Sequence, residues 1–201
     1  MSHLFFSFIK RATFTVDVNF GTFRGMVRLL LGELGYLSGA LEQYTSIRPK
    51  QIRRLVFVCL GNINRSAFAA EVAKAHKARA ISLGLSTTSG ASAFEKAILM
   101  ASTVGIDLSS HRATDFSEYS YEVGDLLLAM EVRHMQDLIR RGIPARSIAL
   151  LGHWGTPRRI HIHDPHVLSD EYFQTCFLIL HSATQRLIAE LREGGAPCIE
   201  S

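Results

Sequence analysis

Cys59 and Arg65 enclose five residues in the segment Cys59-Leu60-Gly61-Asn62-Ile63-Asn64-Arg65-Ser66. The thiolate is the nucleophilic form of cysteine. A planar guanidinium can fork onto two oxygens of a tetrahedral oxyanion. Within one turn of chain the pair supplies a nucleophile and a clamp for a phosphate-like group. No acidic residue lies between them, and Gly61, Asn62 and Asn64 tolerate unusual backbone angles. The N–H groups of Leu60, Gly61, Asn62, Ile63 and Asn64 can therefore turn inward as an anion nest. A helix expected from Ser66 adds its N-terminal field. The same donors stabilise a thiolate at the mouth of the nest, and the Ser66 hydroxyl can assist the sulfur when it departs as a leaving group.

A phosphate monoester also needs a proton on its departing oxygen, so a general acid must face the nucleophile. Asp164 of Asp164-Pro165 is the candidate. It follows the last expected strand and a loop containing Gly152, Gly155 and Pro157.

These residues need a scaffold that brings them to one edge. Leu55–Cys59 is a compact apolar run, read as a first buried strand. An Ala-rich helix spans Ser66–Arg79, with Ala69, Ala70 and Ala73 turned inward. A second strand is expected over Ile81–Thr88, a helix over Phe94–Val104, and a third strand over Asp125–Met130. Glu131–Arg141 reads as a helix stopped by Gly142, and Ser147–Leu151 as a fourth strand. The final helix is capped by Ser169 or Asp170, with Phe173, Phe177, Leu180, Ala183, Leu187 and Leu191 on its apolar face. Four alternations of strand and helix predict an α/β fold: an open four-stranded parallel sheet, Rossmann-like, with helices on both faces. Such a sheet binds ligands beyond the carboxyl ends of its strands, where the Cys59 loop falls.

Ahead of this domain lies a mainly helical N-terminal extension. Thr13–Asn19 alternate weakly and read as one edge strand. Residues 22–44 read as a helix whose apolar face is Met26, Leu30, Leu34, Leu37 and Leu41. Gly25, Gly32, Gly35 and Gly39 interrupt it, which implies close packing or a weak helix. The division expected is an extension over 1–52, an α/β domain over 53–195, and a loose tail over 196–201. The extension is expected to dock or recruit, by packing on its own domain, by self-association or by contact with an anionic surface, and to stay out of the chemistry.

Composition narrows the function. Of 201 residues, 47% are hydrophobic and 20% charged, a globular balance. Residues 1–54 hold eight Lys/Arg against three Asp/Glu. The other 147 hold 14 against 15, which together give the formal +4. A nearly neutral body argues against a binder of long nucleic acid. Cys59, Cys176 and Cys198 lie far apart, so a reduced, cytoplasmic setting is expected. Leu4–Ile9 is too short to span a membrane and has no preceding Lys or Arg, so no secretory leader is expected.

From about Arg53 to Leu191 the chain resembles the low-molecular-weight protein tyrosine phosphatases. The resemblance rests on Val58–Ser66, on Gly105-Ile106-Asp107-Leu108-Ser109-Ser110-His111-Arg112-Ala113, on Leu128-Ala129-Met130-Glu131, and on Asp164-Pro165 followed by Ser169–Phe173. It implies a phosphatase in which Cys59 attacks phosphorus, Arg65 holds the equatorial oxygens and Asp164 protonates the leaving oxygen. Asn62 then supports the strained loop, with His111 in the same network and Thr88 or Ser89 in place of a supporting serine. The implied partner is a phosphorylated protein carrying phosphotyrosine, with no cofactor and no metal. Two further readings stand beside it, a phosphate- or phosphopeptide-binding protein and a thiol-dependent arsenate reductase.

The sequence departs from that family at three places. Asn64 replaces a second loop cysteine, which removes a protective disulfide. Ala67 replaces a proline. His166 and Val167 follow Asp-Pro where the family often has aromatic residues, so an aromatic wall falls to Trp154, Phe94 or Tyr119. His153, His161, His163 and His166 cluster nearby and are expected on the rim, facing solvent.

Overall fold

A computed structural model describes residues 13–199; the apolar run Leu4–Ile9 lies outside them. Strands β1 (Arg54–Cys59), β2 (Ala80–Gly84), β3 (Asp125–Ala129) and β4 (Ile148–Leu150) form one parallel sheet in the order β2-β1-β3-β4. Val58 pairs with Leu83 on one side and Ala129 on the other. The chain direction of the crossovers reverses between β1 and β3, and the loop leaving β1 opens at that switch point.

Both faces of the sheet are covered. On one, Leu55, Phe57 and Leu128 pack beneath α3 (Arg65–Ala75), α4 (Glu95–Ser102) and α6 (Asp170–Glu193). On the other, Val56, Val58, Leu127 and Leu150 meet Met135 and Leu138 of α5 (Val132–Arg140). The Ala-rich sequence of α3 lets it lie between the sheet and α6, where Phe68 stacks on Phe177 at 4.2 Å. The six apolar positions expected on the last helix are all buried, and Ser169 caps it by accepting from the Tyr172 N–H. The expected strands and helices are present, with ends shifted by a few residues.

The extension differs from expectation. Residues 13–20 are helical (α1), not an edge strand. Among the described residues no strand lies beside them to complete a ladder, and a helix satisfies their backbone internally. The longer helix, α2 (Phe23–Leu37), is capped by Thr22 and ends before Leu41, which packs with Tyr44 into the second core. Its packing face is the reverse of the one the leucines predict. Gly25 and Gly32 are buried, while Leu30, Leu34 and Leu37 are 56%, 63% and 73% exposed. The glycines permit close approach: a Cβ at Gly25 would come within 2.8 Å of His163, and one at Gly32 within 3.3 Å of Ile160.

The C-terminal segment also differs over its described part. Cys198 is fully buried, and its backbone accepts from Arg79 and donates to Ile52. It closes the edge of the fold. Among the described residues no helix is long and apolar enough to cross a membrane.

Candidate active site

The loop after β1 is built by fixing its carbonyls from outside. Cys59 O accepts from Leu85 N, Leu60 O from Ser86 N, Ile63 O from Phe94 N, and Asn64 O from Phe68 N. Gly61 O accepts from the Thr87 hydroxyl at 2.7 Å, and Asn62 O from His111 Nε2 at 2.7 Å. Every carbonyl from Cys59 to Asn64 is thus held away by a neighbour, which leaves the amides on the concave side. Of those amides, Asn62 N–H meets a protein acceptor among the described residues, Cys59 Sγ at 3.3 Å.

Asn62 is the keystone of this arrangement. It is fully buried with φ 52°, a left-handed conformation that asparagine tolerates better than most residues. Its Oδ1 accepts from Thr114 N at 2.9 Å, and its Nδ2 donates to Ser66 Oγ at 2.9 Å. Ser66 Oγ in turn lies 3.0 Å from Cys59 Sγ. With Asn62 donating to that oxygen, the Ser66 proton has two acceptors in reach, the sulfur and, at 3.4 Å, Leu83 O. The support expected from Thr88 or Ser89 comes instead from Thr87. Ser89 acts one step further out, accepting from Asp115 N at 2.9 Å. His111 is where the resemblance placed it, and burial lowers its pKa.

Arg65 joins the loop to the rest of the edge. It is fully buried, and its Nη1 donates to Glu131 Oε1 at 2.6 Å and to Ile162 O at 2.9 Å. Nη2 lies 2.8 Å from Asp164 Oδ2, while Nε has no hydrogen-bond partner among the described residues. Burial opposes the guanidinium charge, but Asp164, Glu131 and Cys59 together carry its pKa above the ordinary arginine range. Glu131 is fully buried just beyond β3. Burial opposes its charge too, but Arg65 and Arg133 hold its carboxyl well below the usual range. The sequence places Glu131 in a matched motif without assigning it a task. Its signal was a single carboxylate directly after the apolar run Leu126–Met130.

Asp164 sits on the same edge, about one-third exposed, and its Oδ1 accepts from His166 N at 3.3 Å. The His166 ring packs edge-on against Phe94 at 4.7 Å, and its Nδ1 is 3.5 Å from Asn64 Nδ2. Phe94 and His166 therefore wall the mouth, beside the exposed Leu60. Trp154 is buried and donates to Glu190, and Tyr119 donates to Asp125 at the start of β3, so neither reaches the mouth. Val167 has φ 57°, an uncommon backbone state for a β-branched residue.

The expected solvent-facing rim of histidines is corrected in part. His166 is exposed, but His161 is buried and His163 half-buried, stacked on each other at 5.7 Å. They lie beneath the acid loop because Ile160 and Ile162, on either side of His161, enter the two cores. Among the described residues, no group of three or more side chains could hold a metal ion. Cys176 is buried, with its pKa pushed up by burial, and Cys198 is buried as well. Neither offers an accessible second thiol for oxyanion reduction.

The family model described as low molecular weight phosphotyrosine protein phosphatase matches residues 54–196. Over 144 residues the chain is 32% identical to the probable low molecular weight protein-tyrosine-phosphatase AmsI of Erwinia amylovora, covering 70% of this chain and 98% of that one. Over 148 residues it is 33% identical to the low molecular weight protein-tyrosine-phosphatase Wzb of Salmonella typhi, covering 72% and 98%. The crystal structure of the tyrosine phosphatase Wzb from Escherichia coli K30 in complex with sulphate aligns with a TM-score of 0.61 and 31% identity. That match covers 70% of this chain and 99% of the other.

Proposed function

The chain belongs to the low molecular weight phosphotyrosine protein phosphatase family, a cysteine-dependent family of phosphatases, and from that premise we propose that it hydrolyses phosphotyrosine in proteins through a phosphocysteine at Cys59. The observation that carries this reading is the loop whose carbonyls are all tied back, leaving its amides free for an anion, with that of Asn62 3.3 Å from Cys59 Sγ. A tetrahedral dianion seated there meets those amides and the unpartnered Nε of Arg65.

In the first step the Cys59 thiolate forms an S–P bond as the P–O bond to the leaving group breaks. Asp164 gives its proton to the departing oxygen. In the second, the same carboxylate takes a proton from water, which attacks phosphorus and releases phosphate and the thiolate. Ser66 Oγ–H and Asn62 N–H hydrogen-bond to the sulfur and stabilise it as it leaves. Glu131 and the Ile162 carbonyl fix the plane of the Arg65 fork, so little reorientation is needed when charge shifts onto the equatorial oxygens. Phe94 and the His166 ring supply apolar and edge contacts for a phenyl ring at the mouth, and the names of the relatives point to the same substrate class.

The test is rapid quenching during turnover of an aryl phosphate, followed by phosphate mapping on the chain. One acid-stable phosphate on Cys59 is expected, with no turnover by Cys59→Ser. Full activity of Cys59→Ser would sink the assignment. A phosphotyrosine peptide should then be hydrolysed faster than the matching phosphoserine peptide, and equal rates would reject the tyrosine preference.

A further inference from the structure

We infer that the N-terminal extension is a positioning element for the general acid, an addition to the catalytic domain that sets the loop carrying Asp164. This rests on the reading of Asp164 above. The family model begins at residue 54, and the relatives are covered over 98% of their length by only 70–72% of this chain. The extension therefore lies outside what they share. Beside contacts to Glu131, His153 and Tyr172 and the entry of Leu41 and Tyr44 into the second core, its inner surface makes most of its polar contacts with residues 158–168. Thr22 Oγ1 is 3.1 Å from His163 Nε2, next to Asp164. Glu33 accepts from Arg158 Nη2 at 2.8 Å and from Ile160 N at 3.2 Å, and Arg158 lies over the Tyr36 ring at 3.9 Å. Arg159 donates to Asn19 O. Gly25 and Gly32 bring the α2 backbone onto His163 and Ile160. On the far side of the loop, Ile162 O holds Arg65 and Tyr172 donates to His163 O.

The loop is thus pinned from two directions, by the domain and by the extension. The domain alone leaves the outer side of residues 158–163 without these bonds. A general acid misplaced by a fraction of an ångström loses its value first with leaving groups that need the proton most.

The experiment uses the full chain with Thr22→Val, Glu33→Ala and the double variant, assayed on phenyl phosphate and on activated nitrophenyl phosphate. The double variant should lose about tenfold in kcat/KM, which reports the acid-assisted first step alone, on phenyl phosphate, part of the ~10²–10⁴ that general acid–base catalysis supplies. Its loss on nitrophenyl phosphate should be far smaller. Thr22→Ser keeps the hydroxyl and should restore the wild-type ratio. Equal losses on both substrates, or none, would overturn the inference while leaving the phosphatase reading intact. A wild-type chain with no Cys59-dependent turnover would overturn both.

Discussion

Glu131 Oε1 lies 2.6 Å from Arg65 Nη1, with both side chains sealed from solvent. Two buried opposite charges at that distance hold each other ionised, and removing one strands the other. Glu131 also receives Arg133 Nε at 2.7 Å, so one carboxylate orients two guanidinium groups. Glu131→Gln is expected to cost about 3–5 kcal/mol of stability, the scale of a broken buried pair. The surviving folded enzyme should show both a lower kcat and a higher KM, because Arg65 contacts phosphate in the ground state and the transition state alike. Urea unfolding with steady-state kinetics on an aryl phosphate measures both. Wild-type KM in a folded variant would show that the Ile162 carbonyl alone aims the fork.

Asp164→Asn removes the proton without changing size. Its kcat/KM, which reports the first step alone, should fall steeply as the leaving-group pKa rises across a series of substituted phenyl phosphates, and little with the most acidic phenol. A uniform loss across the series would mean that the change had disturbed the Arg65–Asp164 contact instead of proton transfer.

The scaffold was legible in the sequence because its signals are local. The apolar run Leu55–Cys59, the Gly-Asn loop and the Ser169 cap each lie within a few residues. The site residues that sequence reasoning did not assign act across the chain. Glu131 reaches Arg65 from 66 positions away, and Thr87 reaches Gly61 from 26. Neither belongs to a periodic pattern. The orientation of α2 was misread for a related reason. An apolar stripe normally marks the inner face, but here the glycines give the closer fit against Ile160 and His163. Thr13–Asn19 shows the limit of weak alternation, since period two means little without a neighbouring strand.

Asn62→Ala should reveal the cost of the loop. The substitution removes two side-chain hydrogen bonds, to Thr114 N and Ser66 Oγ, and places alanine at φ 52°. Lost bonds and backbone strain together predict a destabilisation on the order of 2–4 kcal/mol and a large fall in turnover. Asn62→Gly relieves the strain but not the bonds, so it should regain stability more than activity. Equal recovery of both would show that the bonds contribute nothing beyond conformation.

Acid should unfold the protein from just below neutrality. Burial, followed by repulsion from Arg65, holds His134 down to about 3; burial also holds His161 down to about 4. Their ordinary value is 6.5, so the unfolded chain takes up protons that the native state refuses. Stability is therefore complete above about pH 6.5 and declines as the pH falls toward 4. Each histidine contributes about 1.4 kcal/mol per pH unit in that window. Glu131, with its folded pKa lowered, extends the loss below its ordinary 4.5. Urea midpoints between pH 8 and pH 4 measure the slope, and His161→Gln should flatten part of it. An unchanged midpoint across that range would contradict the buried, neutral state of both rings.

Asn64 leaves the nucleophile without a neighbouring thiol. Peroxide converts a thiolate to a sulfenic acid, which a nearby thiol can condense with, forming a disulfide and releasing water. Asn64 occupies the loop position that would supply that thiol, and its amide lies 3.5 Å from His166 Nδ1 instead. The other described cysteines, Cys176 and Cys198, are buried. Further oxidation of Cys59 to the sulfinic acid is then unopposed, and dithiothreitol does not reverse it. After a peroxide pulse, thiol treatment should restore less activity to the wild type than to Asn64→Cys, which can close a reducible bond within the loop. Mass spectrometry should find two added oxygens on Cys59 in the wild type and a loss of two hydrogens in the variant. Full recovery of both proteins would show that a backbone nitrogen or a displaced Cys176 traps the sulfenic acid in place of a loop cysteine.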